Sequence, residues 1–302
     1  MGDVNMWDHG WTGYVLTALP VVALLGQVRA ENQQPLNAKQ VAALIFASRE
    51  RYKTFDVVMT CTGRAFTDGN EVKTDESRAV WRLAGDRSYA KTEVTIYRPH
   101  PLRPDLKEIR YTRQFATTPQ RSKMMEEHPE SDRVGGIVAR TSMEEEGSAL
   151  TDLIWGLHGQ EWTIFQSSDA TCRPDEKTGH YVLEARVVRP KTSTNKIVAE
   201  VDPGKAFLPV KVNMQTADGK DLLTTEGSDF QQFADGLWLP RKFVLAGSLR
   251  GSADTRSARI CEIVEVRLNT EIKADKLDFT FPAGAVIHDR ITGRRYIADG
   301  KG

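Results

Sequence analysis

The chain has no net charge to advertise a partner, because 41 Lys and Arg residues offset 41 Asp and Glu residues. That balance excludes the basic field of a nucleic-acid binder and the acidic excess of a solvating, disordered chain. Cysteine is scarce, and Cys61, Cys172 and Cys261 lie too far apart for the close ligand spacings of a metal site. Two of them could pair in an oxidising compartment, but spacing does not say which, and the simplest reading keeps all three as core residues. The sequence also lacks His-Glu-x-x-His, Gly-x-Ser-x-Gly, Gly-x-x-x-x-Gly-Lys and Gly-x-Gly-x-x-Gly, the easiest signatures of the common enzyme classes. The six histidines are scattered singly, and Glu144-Glu145-Glu146 reads as charge serving the N-terminal dipole of a helix. No catalytic residue, metal ligand or cofactor is expected.

Long hydrophobic runs are missing too. The uncharged stretch Tyr14–Gly26, about 13 residues, falls short of the roughly 20 that cross a bilayer and suits the core of a signal peptide. Val28-Arg29-Ala30 puts small residues at the two positions a signal peptidase reads, so cleavage is expected before Glu31. The segment before it carries Asp3 and Asp8 and no Lys or Arg, which leaves open an apolar N-terminal helix packed on the domain or kept as a membrane anchor. An exported chain, in the periplasm or cell envelope, with no transmembrane span after cleavage, is the expectation.

What the sequence does have is alternation. In Phe207–Thr216 the side chains of Leu208, Val210, Val212 and Met214 fall at every second position, the pattern of a half-buried strand. Asp218-Gly219 and Asp235-Gly236 then close two hairpins, since a type I′ turn needs positive φ at both central residues. The same rhythm predicts strands at Thr54–Phe66, Glu76–Leu83, Ser88–Arg98, Trp162–Gln166, His180–Arg189, Lys196–Val201, Arg241–Gly247 and Ala258–Leu268. Ile109–Phe115 could add one more. Asn37 is a candidate N-cap for an amphipathic helix over Ala38–Tyr52. Residues 99–146 read as a loop-rich insertion, with Thr117–Asp132 a surface loop or short exposed helix. Ser148–Leu157 reads as a short apolar helix bearing Leu150, Leu153, Ile154, Trp155 and Leu157. Such a helix could plug an apolar cavity, or simply close a sheet face as core. Trp81 and Trp238 are expected in the core.

The carboxy-terminal run Leu277-Asp278-Phe279-Thr280-Phe281-Pro282-Ala283-Gly284-Ala285-Val286-Ile287-His288-Asp289 resembles the closing motif of the LolA/LolB-type periplasmic lipoprotein carriers. Phe279, Phe281, Gly284, Val286 and Asp289 stand in the places of that family's Phe-x-Phe pair, turn glycine, valine and final Asp. The passage from the first helix through Tyr52-Lys53-Thr54-Phe55 into a long strand is similar as well, as is Asp202 to Pro209. The likeness spans most of residues 37–298. It departs at Trp81-Arg82-Leu83-Ala84-Gly85, where the carriers have an Arg-Pro pair, and at the insertion, so no functional residue is carried over.

The resemblance implies an α+β, mostly β fold, a large curved antiparallel sheet or half-barrel wrapped around short helices, as a single domain over 31–302. It implies an apolar concave face that accepts a lipid or lipoprotein acyl chain. The residues expected to line or cover that cavity are Leu208, Val210, Val212 and Met214 on the sheet and Leu150, Leu153, Ile154, Trp155 and Leu157 on the helix. A structural or protein-interaction module of the envelope with a self-filled cavity is the alternative, and an unrecognised hydrolase comes last.

Overall fold

A computed structural model describes residues 35–67, 70–97, 108–129, 134–140, 161–187, 195–216, 219–248 and 256–301. The expected leader over residues 1–30 and the helix over Ser148–Leu157 lie outside them. The chain enters through α1 (Ala38–Arg49), whose start follows from Asn37. Its side chain accepts from Gln40 N while the Gln40 side chain accepts from Asn37 N, a closed capping box.

The strands are β1 (Thr54–Thr67), β2 (Asn70–Ala84), β3 (Arg87–Ile96), β4 (Ile109–Thr117), β5 (Ser122–Glu127) and β6 (Val134–Ala139). They continue with β7 (Thr171–Pro174), β8 (Tyr181–Val187), β9 (Asn195–Asp202), β10 (Leu208–Gln215), β11 (Asp221–Gln232), β12 (Trp238–Ser248) and β13 (Arg256–Leu268). The last two are β14 (Val286–Asp289) and β15 (Arg294–Ile297). All belong to one curved, unclosed sheet in the order β15-β14-β6-β5-β4-β3-β2-β1-β13-β12-β11-β10-β9-β8-β7. Neighbours are antiparallel except β14 and β6, which run parallel. The mostly β half-barrel expected from the sequence is therefore the fold.

Two local expectations are corrected, and the cysteine pairing left open by the sequence is resolved. Within Thr117–Asp132, expected as a surface loop or short exposed helix, Ser122–Glu127 forms β5 between β4 and β6, with Met125 buried at 4% exposure. Trp162–Gln166 is not a strand but part of a 3₁₀ helix, Glu161–Gln166. Trp162 and Phe165, three apart, turn inward together and pack their rings 5.4 Å apart. Cys61 and Cys261 are buried as expected, and they also face each other across β1 and β13 in a disulfide.

The Asp-Gly turn before β12 forms as its chemistry requires, with positive φ at Asp235 and Gly236. Gly284 also has positive φ, and it turns the chain from the Phe-x-Phe segment into β14. Phe281 packs there with Met125, Val138 and Ile287, while Phe279 meets it edge-on at 5.3 Å. A Cβ at Gly136 would lie 2.5 Å from the Phe281 ring, so the closing segment fits because β6 offers a glycine.

Candidate functional site

Residues directly opposite one another on a ladder point to the same side of a sheet. One face can therefore be traced across the molecule. Ala199 stands opposite Val212, Val212 opposite Thr225, and Thr225 opposite Leu245. Two residues on, Phe243 is opposite Cys261, and Cys261 is opposite Cys61. Val57, Trp81, Ala90 and Phe115 continue the row into β4. This face is apolar over most of that span.

Two buried clusters lie on it side by side. The first gathers Tyr52, Phe55, Val57, Met59, Trp81, Phe243 and Ile263 with the disulfide, and Phe55 and Trp81 meet edge-to-face at 5.2 Å. In the second, Val41, Ala42 and Ile45 of α1 and Trp162 and Phe165 of the 3₁₀ helix press on Leu183, Ala185, Ile197, Ala199, Val201 and Val212. The helix docks here because its apolar residues recur three and four apart. Each fully buried Ile or Val contributes about 1.5–3 kcal/mol. Tyr52, just past the helix, donates its hydroxyl to Trp238 O at 2.7 Å and accepts from Trp238 N at 3.2 Å. That pins the helix exit to the start of β12.

At the β4–β5 end the same face turns polar. Arg113 donates through Nε and Nη2 to one oxygen of Glu126 at 3.0 and 2.8 Å, and His128 Nε2 meets the other at 2.8 Å. The His128 and Tyr111 rings lie 5.5 Å apart. Burial pushes the Glu126 carboxyl up, but the hydrogen bonds from Arg113 and His128 outweigh it and hold the group below its ordinary range. A depressed carboxylate stabilises the fold above its unfolded pKa, and that contribution is lost as pH falls through the folded value. Glu126→Gln is thus expected to melt below wild type at pH 6, with the gap closing as the pH is taken below about 4. Melting curves across that range check it, and a gap independent of pH would refute it.

Asp202, at the start of the Asp-Pro segment, serves the backbone. Its carboxylate accepts from Gly204 N at 2.8 Å, pairs with Lys205 and lies 3.5 Å from His180. Burial raises its pKa, and the Lys205 and Gly204 bonds more than offset that. The residue shapes the turn from β9 into β10, and nothing in its surroundings calls for chemistry.

The sheet residues expected to line a cavity are divided between the two clusters. The register shifts between Pro209 and Lys211, so β10 bulges at Val210. An extra residue inverts the alternation: Leu208 pairs with Asp202, whereas Val212 pairs with Ala199 and Met214 with Ile197. Leu208 joins the first cluster, Val212 the second, and Met214 is half-buried against the second. With Leu208 at 3%, Val210 at 8% and Val212 at 4% exposure, these are packed core positions. Leu150, Leu153, Ile154, Trp155 and Leu157 lie outside the described residues.

A cavity of about 550 Å³ over β1–β4 has mixed walls, with Cys61, Val94 and Tyr111 beside Thr60, Glu76, Arg78 and Arg110. No group of three metal-ligating side chains gathers among the described residues, and no described helix is long and apolar enough to cross a membrane. Sequence reasoning missed the disulfide partners and the Arg113–Glu126–His128 cluster. Glu126 stands opposite Arg113 only once β5 is recognised as a strand.

No protein-family model and no curated relative matches the sequence. Among solved structures, the chain is similar to one described as an outer membrane lipoprotein-sorting protein domain from Vibrio parahaemolyticus, at 16% identity and a TM-score of 0.48, over 80% of this chain and 97% of that one. A DUF1329-family protein from Desulfovibrio piger matches at 12% identity and 0.47, over 80% and 97%. A LolA-superfamily protein from Nitrosomonas europaea matches at 14% and 0.43, over 81% and 99%.

Proposed function

We propose that the protein is an exported, non-enzymatic component of the cell envelope that binds a lipid or lipoprotein acyl chain against the α1-bearing face of its half-barrel. Lipoprotein sorting is its setting in this reading. Residues 1–30 are the cleaved leader and 31–302 a single domain. The observation that carries the reading is the continuous apolar face from β9 to β4, in a sheet whose end strands β15 and β7 do not pair. Such a face can be uncovered by moving a helix, without breaking a barrel. Each methylene buried contributes about 0.8 kcal/mol, so a chain of roughly a dozen supplies about 10 kcal/mol before the costs of association. The disulfide supports export, because such bonds persist in oxidising compartments.

The test is mass spectrometry of organic extracts from natively purified protein, alongside titration of the mature domain with a fluorescent fatty acid. A co-purifying lipid and saturable binding are expected. An empty extract with no probe binding would end the proposal. A second reading, a protein-interaction module whose cavity is filled by its own residues, is favoured by the burial of Leu208, Val210 and Val212. Pull-downs that recovered an envelope protein and no lipid would select it.

A further inference from the structure

The two most exposed large hydrophobic side chains among the described residues are Ile297 at 71% and Val286 at 56%, and they stand directly opposite each other on β15 and β14. Tyr296, beside them in sequence, is also exposed. Ile287, the next residue after Val286, is fully buried with Phe281, Met125 and Val138, so one face of the hairpin is packed and the other is bare. On the bare face the row runs from Ile297 through Val286 to Gly135 of β6, and a Cβ built on Gly135 would meet nothing within 4 Å. The apolar pair borders open space.

β15 is also an edge, since it ends the strand order of the sheet. Ala298 N donates to Ala285 O at 2.8 Å, and Ala298 O accepts from Gly284 N at 2.9 Å. Main-chain groups in an antiparallel pair face the partner strand at alternate residues, so those of Tyr296 and Arg294 turn to β14 as well. The N–H and C=O of Arg295 and Ile297 therefore point outward, where no described strand meets them. Positive charge gathers at the same place, with Arg290 in the turn and Arg294 and Arg295 on the strand, and no ion pair holds them among the described residues. Asp289, opposite Arg294, is taken up by the turn: it accepts from Ile291 N, Thr292 N and Thr292 Oγ1 at 2.8, 3.2 and 2.8 Å. Short, charged edge strands are a common defence against stray pairing, and β7 at the other end has that form, ending in Pro174 with no large apolar side chain exposed. A defended edge has no use for Ile297 and Tyr296 in the open.

We propose that the edge of β15 is a docking site for an extended acidic segment of another protein, which adds to the sheet as a further strand. It is independent of what binds on the α1 face. The outward main-chain groups supply the backbone bonds, and the arginines supply the preference for acid. Register makes the motif specific. In an antiparallel addition, the more stable pairing, an apolar residue stands opposite Ile297 and acids stand opposite Arg295 and Arg294, so the incoming strand reads apolar-x-acid-acid. A second copy of this chain fits less well, because pairing β15 with itself sets these arginines against their own counterparts.

Titration of the purified protein with two fluorescent hexapeptides, Thr-Val-Thr-Glu-Glu-Thr and Thr-Val-Thr-Lys-Lys-Thr, tests this. The glutamate peptide is expected to bind about tenfold more tightly at low salt, since two ion pairs replace two repulsions, and the difference should shrink as salt is added. Ile297→Pro removes an outward N–H and no bond to β14, so it should weaken that peptide about tenfold and leave the melting temperature near wild type. Should that variant fail to fold, the exposed pair Arg294→Glu and Arg295→Glu carries the test by reversing the preference to the lysine peptide. Equal binding of the two peptides, no saturation by about 1 mM, or full binding by Ile297→Pro would overturn the proposal. So would a dimer abolished by Ile297→Pro, which assigns the edge to a second copy, or binding to phosphatidylglycerol vesicles and to neither peptide, which assigns the arginines to a membrane surface.

Discussion

Replacing Cys61 and Cys261 with alanine is expected to lower the unfolding free energy by roughly 5 kcal/mol, the largest single effect in this molecule. The two residues are 200 apart in sequence. In the chain-entropy account the stabilisation grows with the logarithm of the loop closed, and reaches about that value for a loop of this size. The bond joins β1 to β13, strands distant in sequence and central in the sheet. Without it, that pairing must be established against the entropy of closing a very long loop. Urea unfolding of the oxidised, reduced and doubly substituted protein measures the difference. Coincident midpoints for all three would dismiss it. Cys172 provides the control: it is free and half-buried, and burial pushes its thiol up to about 11. It stays protonated and unreactive at neutral pH, so alanine there should leave the midpoint close to wild type.

The sheet was legible in the sequence wherever alternation was backed by turn chemistry. Asp235-Gly236 fixes a reversal by itself, and the strands on either side, β11 and β12, follow from it. β5 was hidden because Met124-Met125-Glu126-Glu127 looks like exposed surface. Its Glu126 becomes tolerable on a sheet face only with Arg113 opposite, and that pairing is a property of the fold. Trp162 and Phe165 misled for a related reason, since two aromatics three apart fit a broken alternation as well as a 3₁₀ turn. The bulge at Val210 leaves no local mark, because Leu208, Val210 and Val212 are apolar on either side of it.

Trp162→Ala is expected to cost about 3–5 kcal/mol, the usual range for deleting a fully buried aromatic. The indole is 2% exposed and shares its cluster with Phe165, Val41 and Ile45. The loss therefore falls on the contact that holds α1 to the sheet. The same variant separates the two functional readings. If the layer of α1 and the 3₁₀ helix is a cover over an acyl-chain face, loosening it should raise the affinity for a fluorescent fatty acid, because less packing is displaced when the chain enters. If the cavity is permanently self-filled, the variant gains at most a dry void the size of an indole. Such a void takes a small apolar molecule but not an extended chain. Unfolding curves and probe titrations on one preparation give both numbers. A large stability loss with no gain in fatty-acid binding would favour the interaction module, whereas a loss accompanied by tighter binding would identify α1 as the element that moves aside for the chain.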